Sequence, residues 1–364
     1  MAHAVPLIQP GFRTLGIWEP ATKIRLDLAI WYPANRIPTR LDYGDWAFRA
    51  ARNAPPLPGQ HPLVVLSHDS AGSRFSLHQL ATALTRYGFV VAAPTHPGDN
   101  IDNMQTLFTP EQFFARARHL SATLDILLSD AEIAPLIDPQ RIGVLGVGPG
   151  GTAALLLAGA RLDATGWKNY CDHPEIRQRA ATPREDPYCS PWGVQRMEAL
   201  SATPGLNAAF RDRRVRVVVA VAPAYAMYMT PKALSRIRIP LLLINSPKNR
   251  MAGPPFLIDT LVKALPGSPV IQSLPDADTA ALMSSCSENL AQTLPEMCFA
   301  TSATTRTAVQ KKLALDTAAF LLAQLGSPDL PPVPPDPPEE TLGAAPKTPP
   351  PATPVKNTRR GGKG

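Results

Sequence analysis

Residues 141–154 read Arg-Ile-Gly-Val-Leu-Gly-Val-Gly-Pro-Gly-Gly-Thr-Ala-Ala, and they are the part of this chain best suited to chemistry. An apolar run enters a turn in which Gly146 and Gly150 flank position 148, and an Ala/Leu-rich stretch follows. A strand, sharp turn and helix in this order form a nucleophile elbow. Its middle residue presents a hydroxyl to a carbonyl carbon, and the next backbone N–H helps to hold the oxyanion. The middle residue here is Gly148, which has no side chain. The next is Pro149, which has no N–H. The scaffold of an acyl-transfer site is present, with the chemistry removed at its centre.

Other reactive side chains cluster after neighbouring apolar runs. His68, Asp69, Ser70 and Ser73 follow one; His96 and Asp99 follow the next. If these converged, Ser67, Ser70 or Ser73 could be a nucleophile, or the group could hold a metal that activates water. Each residue also has a structural reading. His96 and Asp99 would fix a turn by hydrogen bonds, and His68 would bind backbone groups near the elbow. Asn249 follows a later apolar run, and Asp276 and Asp278 follow the last.

The elements that must position these groups alternate. Residues 12–18 and 25–33 read as an antiparallel hairpin, and 42–52 as a short helix. Residues 61–67 are a continuous apolar run, as expected of a strand buried on both faces of a parallel sheet. Residues 77–87 have helical spacing, 89–94 form the next strand, and 109–129 form a long helix opening on Pro110 and Glu111. The central strand at 141–146 leads to a helix at 152–160. A polar, proline-interrupted segment at about 163–214 is too long for a simple loop and reads as a lid-like insertion. Strands at 215–222, 239–245 and 269–274 and helices at 255–265 and 309–325 complete the pattern. This is an α/β fold: a mostly parallel, doubly wound sheet with helices on both faces. Ligands on such sheets bind at the carboxyl ends of the strands.

The chain resembles the α/β-hydrolases of the dienelactone hydrolase group, related to platelet-activating-factor acetylhydrolases. The matching pieces are Ala29-Ile-Trp-Tyr-Pro-Ala, Leu66-Ser-His-x-Ser-x-Gly-Ser-Arg-Phe, Ala92-Ala-Pro-Thr-His-Pro-Gly-Asp-Asn, Asp138-Pro-Gln-Arg-Ile-Gly-Val, the elbow glycines and the paired-cysteine segments. They cover roughly residues 11–325. The resemblance implies a serine at 148, a triad acid at the position of Asn249 and a histidine at that of Asp278. It also implies glycines where Asp69 and Ala71 stand in the oxyanion turn. No histidine follows His173, so a triad histidine from the usual place is impossible. An amide in place of the acid can orient an imidazole but cannot stabilise imidazolium by charge; in trypsin, the standard worked case, that exchange costs about 10⁴ in rate.

Composition sets the outer limits. The chain has 364 residues, 45% hydrophobic and 18% charged, with a net charge of +7. Its basic residues are scattered, with no nucleic-acid motif. No apolar run reaches the roughly 18 residues that span a bilayer. No cofactor is implied. Residues 1–326 read as one domain, and 327–364, with 12 of the 42 prolines, as a disordered tail. That tail is either a spacer or a ligand for a polyproline-binding protein. Cys171 with Cys189 and Cys286 with Cys298 are two local pairs: loop-closing disulfides of an oxidising compartment, or four reduced thiols of the cytosol. Ala2-His3-Ala4 has the small-x-small form of a signal cleavage end, favouring a periplasmic or secreted protein, although no leader is visible. The expected function is that of a catalytically inactive hydrolase homologue, acting as a binding or scaffold protein with an apolar or ester-like ligand under the lid. The alternative is an active ester or lactone hydrolase rebuilt around His68 and His96.

Overall fold

In the computed structural model, residues 8–19, 22–179, 186–249, 252–267 and 269–326 are described. The tail at 327–364 and the Ala2-His3-Ala4 segment lie outside them.

The strands are β1 (Gln9–Trp18), β2 (Arg25–Ala34), β3 (Thr39–Asp42), β4 (Ala47–Arg52), β5 (His61–Ser67), β6 (Val90–Pro94), β7 (Ile137–Val147), β8 (Val217–Val221), β9 (Leu241–Asn245) and β10 (Val270–Ser273). They form one sheet in the order β10-β9-β8-β7-β5-β6-β2-β1-β4-β3. From β10 to β6 every pairing is parallel. The β1–β2 hairpin joins this core antiparallel, through β2 on β6.

The helices are α1 (His78–Arg86), α2 (Pro110–Leu127), α3 (Pro149–Ala158), α4 (Ala164–Cys171), α5 (Pro174–Arg179), α6 (Pro191–Ser201), α7 (Pro231–Leu234), α8 (Pro255–Ala264), α9 (Thr279–Leu282), α10 (Glu288–Thr293), α11 (Pro295–Cys298) and α12 (Ala303–Leu325). Successive strand side chains point to opposite faces, so each buried strand feeds two cores. Leu63 and Val65 of β5 pack with Phe113, Leu120 and Leu155 of α2 and α3. Val64 and Leu66 pack on the other face with Leu80 of α1 and Leu313 of α12. Two-sided burial is why β5 and β8 read as unbroken apolar runs.

Three expectations shift. Residues 42–52 are not a helix but the turn and second strand of a hairpin, with Asp42 paired to Ala47. Gly44 makes the turn at φ +74° and donates its N–H to Asp42 Oδ1 at 2.9 Å. Phe48 and Ala50 are buried while Arg49 between them is exposed, a period of two that decides for strand. Phe48 then joins a ring cluster with Phe12, Tyr43 and Phe75. Helix α3 starts three residues before the expected position, because Pro149 suits a first helical turn. Helix α12 starts at 303 rather than 309, where Ser302 accepts the Thr305 N–H as an N-cap.

The polar segment after α3 contains α4, α5 and α6, and both cysteine pairs are disulfides: Cys171–Cys189 and Cys286–Cys298. The first closes a loop of 18 residues in this segment. All four thiols should therefore resist alkylation in the native chain until reductant is added. Cys171→Ser with Cys189→Ser should lower the unfolding free energy by about 3 kcal/mol in a urea titration. Free labelling of all four would contradict the pairing.

Candidate active site at the elbow

Gly148 closes β7 and caps α3. Its backbone lies at φ +58° and ψ −126°, a region that side-chain-bearing residues enter only under strain. The turn is also tight against β5: a Cβ on Gly150 would stand 2.4 Å from the Ser67 carbonyl oxygen. Two hydrogen bonds fix Gly148 from the far side. Its N–H donates to Val221 O at 3.0 Å, and its carbonyl accepts from Ala224 N at 3.1 Å. The elbow geometry is thus intact around a residue without a side chain.

The space above Gly148 is filled by Asp69. A Cβ built on Gly148 would lie 2.0 Å from Asp69 Oδ1 and 2.6 Å from its carboxyl carbon. The carboxyl of the turn after β5 therefore stands where an elbow side chain would begin. Asp69 Oδ1 accepts the Ser70 N–H at 2.7 Å. Ala71, in the same turn, sits at φ +58°, the left-handed region that favours glycine. Asp69 is partly exposed as a residue. Its Oδ2, however, is out of contact with solvent and has no hydrogen-bond partner among the described residues. Burial pushes the carboxyl up to about 6, against the Ser70 N–H and the Arg116 charge, with Asp99 adding to the rise.

His68, Ser70, His96 and Asp99 do fall within one buried network, joined by groups from α2. Arg116 and Asp99 form an ion pair at 2.8 Å, with side chains 1% and 2% exposed. Asp99 Oδ2 accepts from Arg116 Nε and from Gln112 Nε2, both at 2.8 Å. Burial pushes Asp99 up, but the Arg116 charge and these hydrogen bonds outweigh it and hold the carboxyl below its ordinary value. Arg116 also donates to His68 O at 2.6 Å and to Ser67 Oγ at 3.3 Å. Gln112 donates to Ser70 Oγ at 3.0 Å and accepts from Tyr225 OH at 3.0 Å.

The two candidate histidines do not share a serine. His68 Nε2 accepts the backbone N–H of His96 at 3.1 Å, so its proton is on Nδ1, which donates to Asp69 O at 2.6 Å. His68 thus binds backbone on both sides. His96 Nε2 meets Ser67 Oγ at 2.8 Å, and its Nδ1 meets His119 Nδ1 at 3.2 Å. Burial pulls His68 down to about 3, helped by Arg116. It pulls His119 to about 3, helped by Arg118 and Arg116, and His96 well below its ordinary range. Among the described residues no group of three or more His, Cys, Asp or Glu is disposed to hold a metal.

The remaining candidate positions are held as follows. Asn249 is buried in the turn after β9, where its N–H donates to Ser246 O at 2.9 Å and its carbonyl accepts from Ala252 N at 3.1 Å. Asp278 caps α9: its Oδ1 accepts from Ala281 N at 2.8 Å and from Thr301 Oγ1 at 2.6 Å. Ser73 accepts the Phe75 N–H at 3.2 Å. Sequence reasoning missed Gln112, Arg116, His119 and Thr123. Their 4-3-4 spacing puts them on one face of α2, and all four are buried.

No protein-family profile matches the chain. A cutinase of Thermobifida alba is 35% identical over 102 residues, 28% of this chain and 31% of that one. The chain thus matches about a third of the length of its curated relatives. A ferulic acid esterase from Streptomyces cinnamoneus superposes with a TM-score of 0.55 at 18% identity, covering 89% of this chain and 91% of the other. A dienelactone hydrolase from Anabaena variabilis has a TM-score of 0.47 at 14% identity, covering 87% and 99%. The fold is the α/β-hydrolase fold, as the sequence resemblance implied.

Two outcomes follow from Asp69. Gly148→Ser should destabilise the chain by roughly 2–4 kcal/mol through strain and overlap, with no gain of p-nitrophenyl ester hydrolysis. Adding Asp69→Gly should recover at least about 1 kcal/mol of that loss; strictly additive urea midpoints would show that the two side chains do not compete. The second concerns pH. The raised Asp69 pKa contributes stability fully below about 4, and this is lost as pH rises through about 6. The depressed histidines act oppositely: their contribution is present above about 6.5 and is lost as pH falls. In Asp69→Asn the first effect is absent. Its stability relative to the parent should rise by about 2 kcal/mol from pH 4.5 to 7.5, and a constant difference would mean an ordinary carboxylate.

Proposed function

We propose that this α/β-hydrolase-fold protein does not carry out acyl transfer at its elbow and serves as a binding or scaffold protein. The observation that carries this reading is the Asp69 carboxyl in the space above Gly148. A catalytic elbow needs that space for its nucleophile and, next to it, a donor for the oxyanion. Here a carboxyl fills the first, and Pro149 removes one donor. The Ser70 N–H of the opposite turn is engaged by Asp69 itself. A negative charge at this point opposes a second one developing on a substrate oxygen. In this reading Gly148, Asn249 and Asp278 stand at the former nucleophile, acid and histidine positions.

The segment at 163–214 acts as a lid. Its Tyr188 ring lies 5.1 Å from Tyr225, and its Trp192 ring 5.1 Å from Phe108. This aromatic layer suits an apolar or ester-like ligand. The two disulfides support an oxidising compartment, periplasmic or extracellular.

One observation favours a second reading, an active carboxylic-ester hydrolase of the kind the names of the cutinase and esterase relatives suggest. Ser67 Oγ lies 2.8 Å from His96 Nε2, within the hydrogen-bond reach of a nucleophile and its base. Against it, Ser67 and His96 are 0% and 1% exposed, and His119 rather than a carboxylate stands behind His96.

A fluorophosphonate probe separates the two. The full chain should remain unlabelled at neutral pH and hydrolyse p-nitrophenyl butyrate no faster than a heat-denatured sample. Stoichiometric labelling mapped to Ser67 would establish the second reading.

A further inference from the structure

Helix α3 ends, one helix length from the elbow, beside a cavity of about 280 Å³ lined by Gly159, Arg161, Ala209, Arg211, Arg236 and Arg238. We propose that this cavity is a binding site for a small phosphate anion, either diphosphate or the head of a phosphate monoester. It is distinct from the elbow and independent of any reading of the elbow.

The topology explains why four arginines far apart in sequence meet. Parallel strands and their return helices put the end of α3 at the amino ends of β8 and β9. Residues 209–211 lead into β8, and residues 236–238 lead into β9. The ten residues of α3 set the cavity about 15 Å from Gly148. Gly159 lets the walls close in: a Cβ there would stand 3.2 Å from Arg236 O and 3.4 Å from Arg211 Cδ.

Among the described residues no carboxylate compensates the charge in this cavity, although Arg238 Nη1 donates to the carbonyls of Ser235 and Ile237 at 2.5 and 2.8 Å. Every ionisable group in its lining is a guanidinium, and no carboxylate takes part. None of the four forms a salt bridge with a described residue. The nearest acid in sequence, Asp212, is paired with Arg214 at 2.6 Å. Arg161 Nε is buried without a hydrogen-bond partner among the described residues. A buried donor left unsatisfied is destabilising, which an oxyanion acceptor would relieve.

The dipole of α3 does not account for the cluster. A helix C-terminus carries about half a negative charge, far less than four cations. Its last carbonyls are already occupied: Leu155 O by Ala160 N, Leu156 O by Gly159 N and Leu157 O by Asp212 N. Guanidinium forks bind phosphate oxygens in pairs, so convergent arginines suit a tetrahedral phosphate anion better than a carboxylate or chloride.

Isothermal titration of the full chain with sodium diphosphate and with inorganic phosphate, at constant ionic strength, tests the proposal. The expected result is one saturable site for diphosphate with a Kd below about 1 mM. Arg161→Met should weaken it roughly ten- to hundredfold. Arg236→Gln, at an exposed position that leaves the core untouched, should weaken it in the same direction. Arg49→Gln, on the far hairpin, should leave it unchanged. Co-sedimentation with vesicles of phosphatidylcholine with and without phosphatidic acid identifies the source. Retention only on phosphatidic acid assigns a lipid head group, and diphosphate binding without retention assigns a free phosphate. Absence of saturable binding, or equal weakening by Arg49→Gln, overturns the site.

Discussion

The buried ion pair of Arg116 and Asp99 organises everything at the carboxyl ends of the central strands. Both charges are almost wholly removed from water, so each depends on the other. Breaking a pair of this kind by deleting one partner costs about 3–5 kcal/mol, because the survivor is left buried and uncompensated. Arg116 does more than neutralise Asp99. It binds the carbonyl of His68 and the hydroxyl of Ser67, at the end of β5. Gln112, one turn earlier, reaches Ser70 and Tyr225. One face of α2 therefore holds the turns after β5 and β6 in register with the segment after β8. The positive charge also helps to keep the surrounding histidines neutral, and neutral rings can pass single hydrogen bonds along Ser67, His96 and His119.

With those turns fixed, Asp69 has little freedom. Its backbone carbonyl is tied to His68, and its carboxyl reaches over the elbow. In this rotamer the carboxyl occupies the place of a side chain at 148, which glycine leaves open. Gly148 and Asp69 are thus two halves of one steric arrangement, in which the volume given up by one is taken by the other. The rest of the elbow retains its backbone bonds to Val221 and Ala224 and its close contact with β5. A demanding backbone turn and the side chain at its apex are separable properties of a fold.

Much of this was legible in the chain. The two-sided strands β5, β6 and β8 read as apolar runs because each packs into both cores, and the elbow read from its glycines. What failed was local. The strand after Gly44 was hidden because its period of two covers only a few residues, and two helix starts were obscured by a proline and a distant cap. The role of α2 was written as buried spacing at 112, 116, 119 and 123. Arginine and histidine on a helix read as a solvent face until the sheet is in place. The position of Asp69 above Gly148 had no signature, since it depends on how two turns meet. The convergence of Arg161, Arg211, Arg236 and Arg238 depends on three crossovers at once.

The contact between Asp69 and Gly148 has a consequence in evolutionary time. A larger residue at 148 meets the carboxyl as it now stands, and a carboxyl lost first leaves the space above Gly148 empty. A change at either position is thus felt at the other, so the two residues hold one another in place like the pawl and tooth of a ratchet. Sequences descending from this one vary more freely at the surface than at this pair of facing residues.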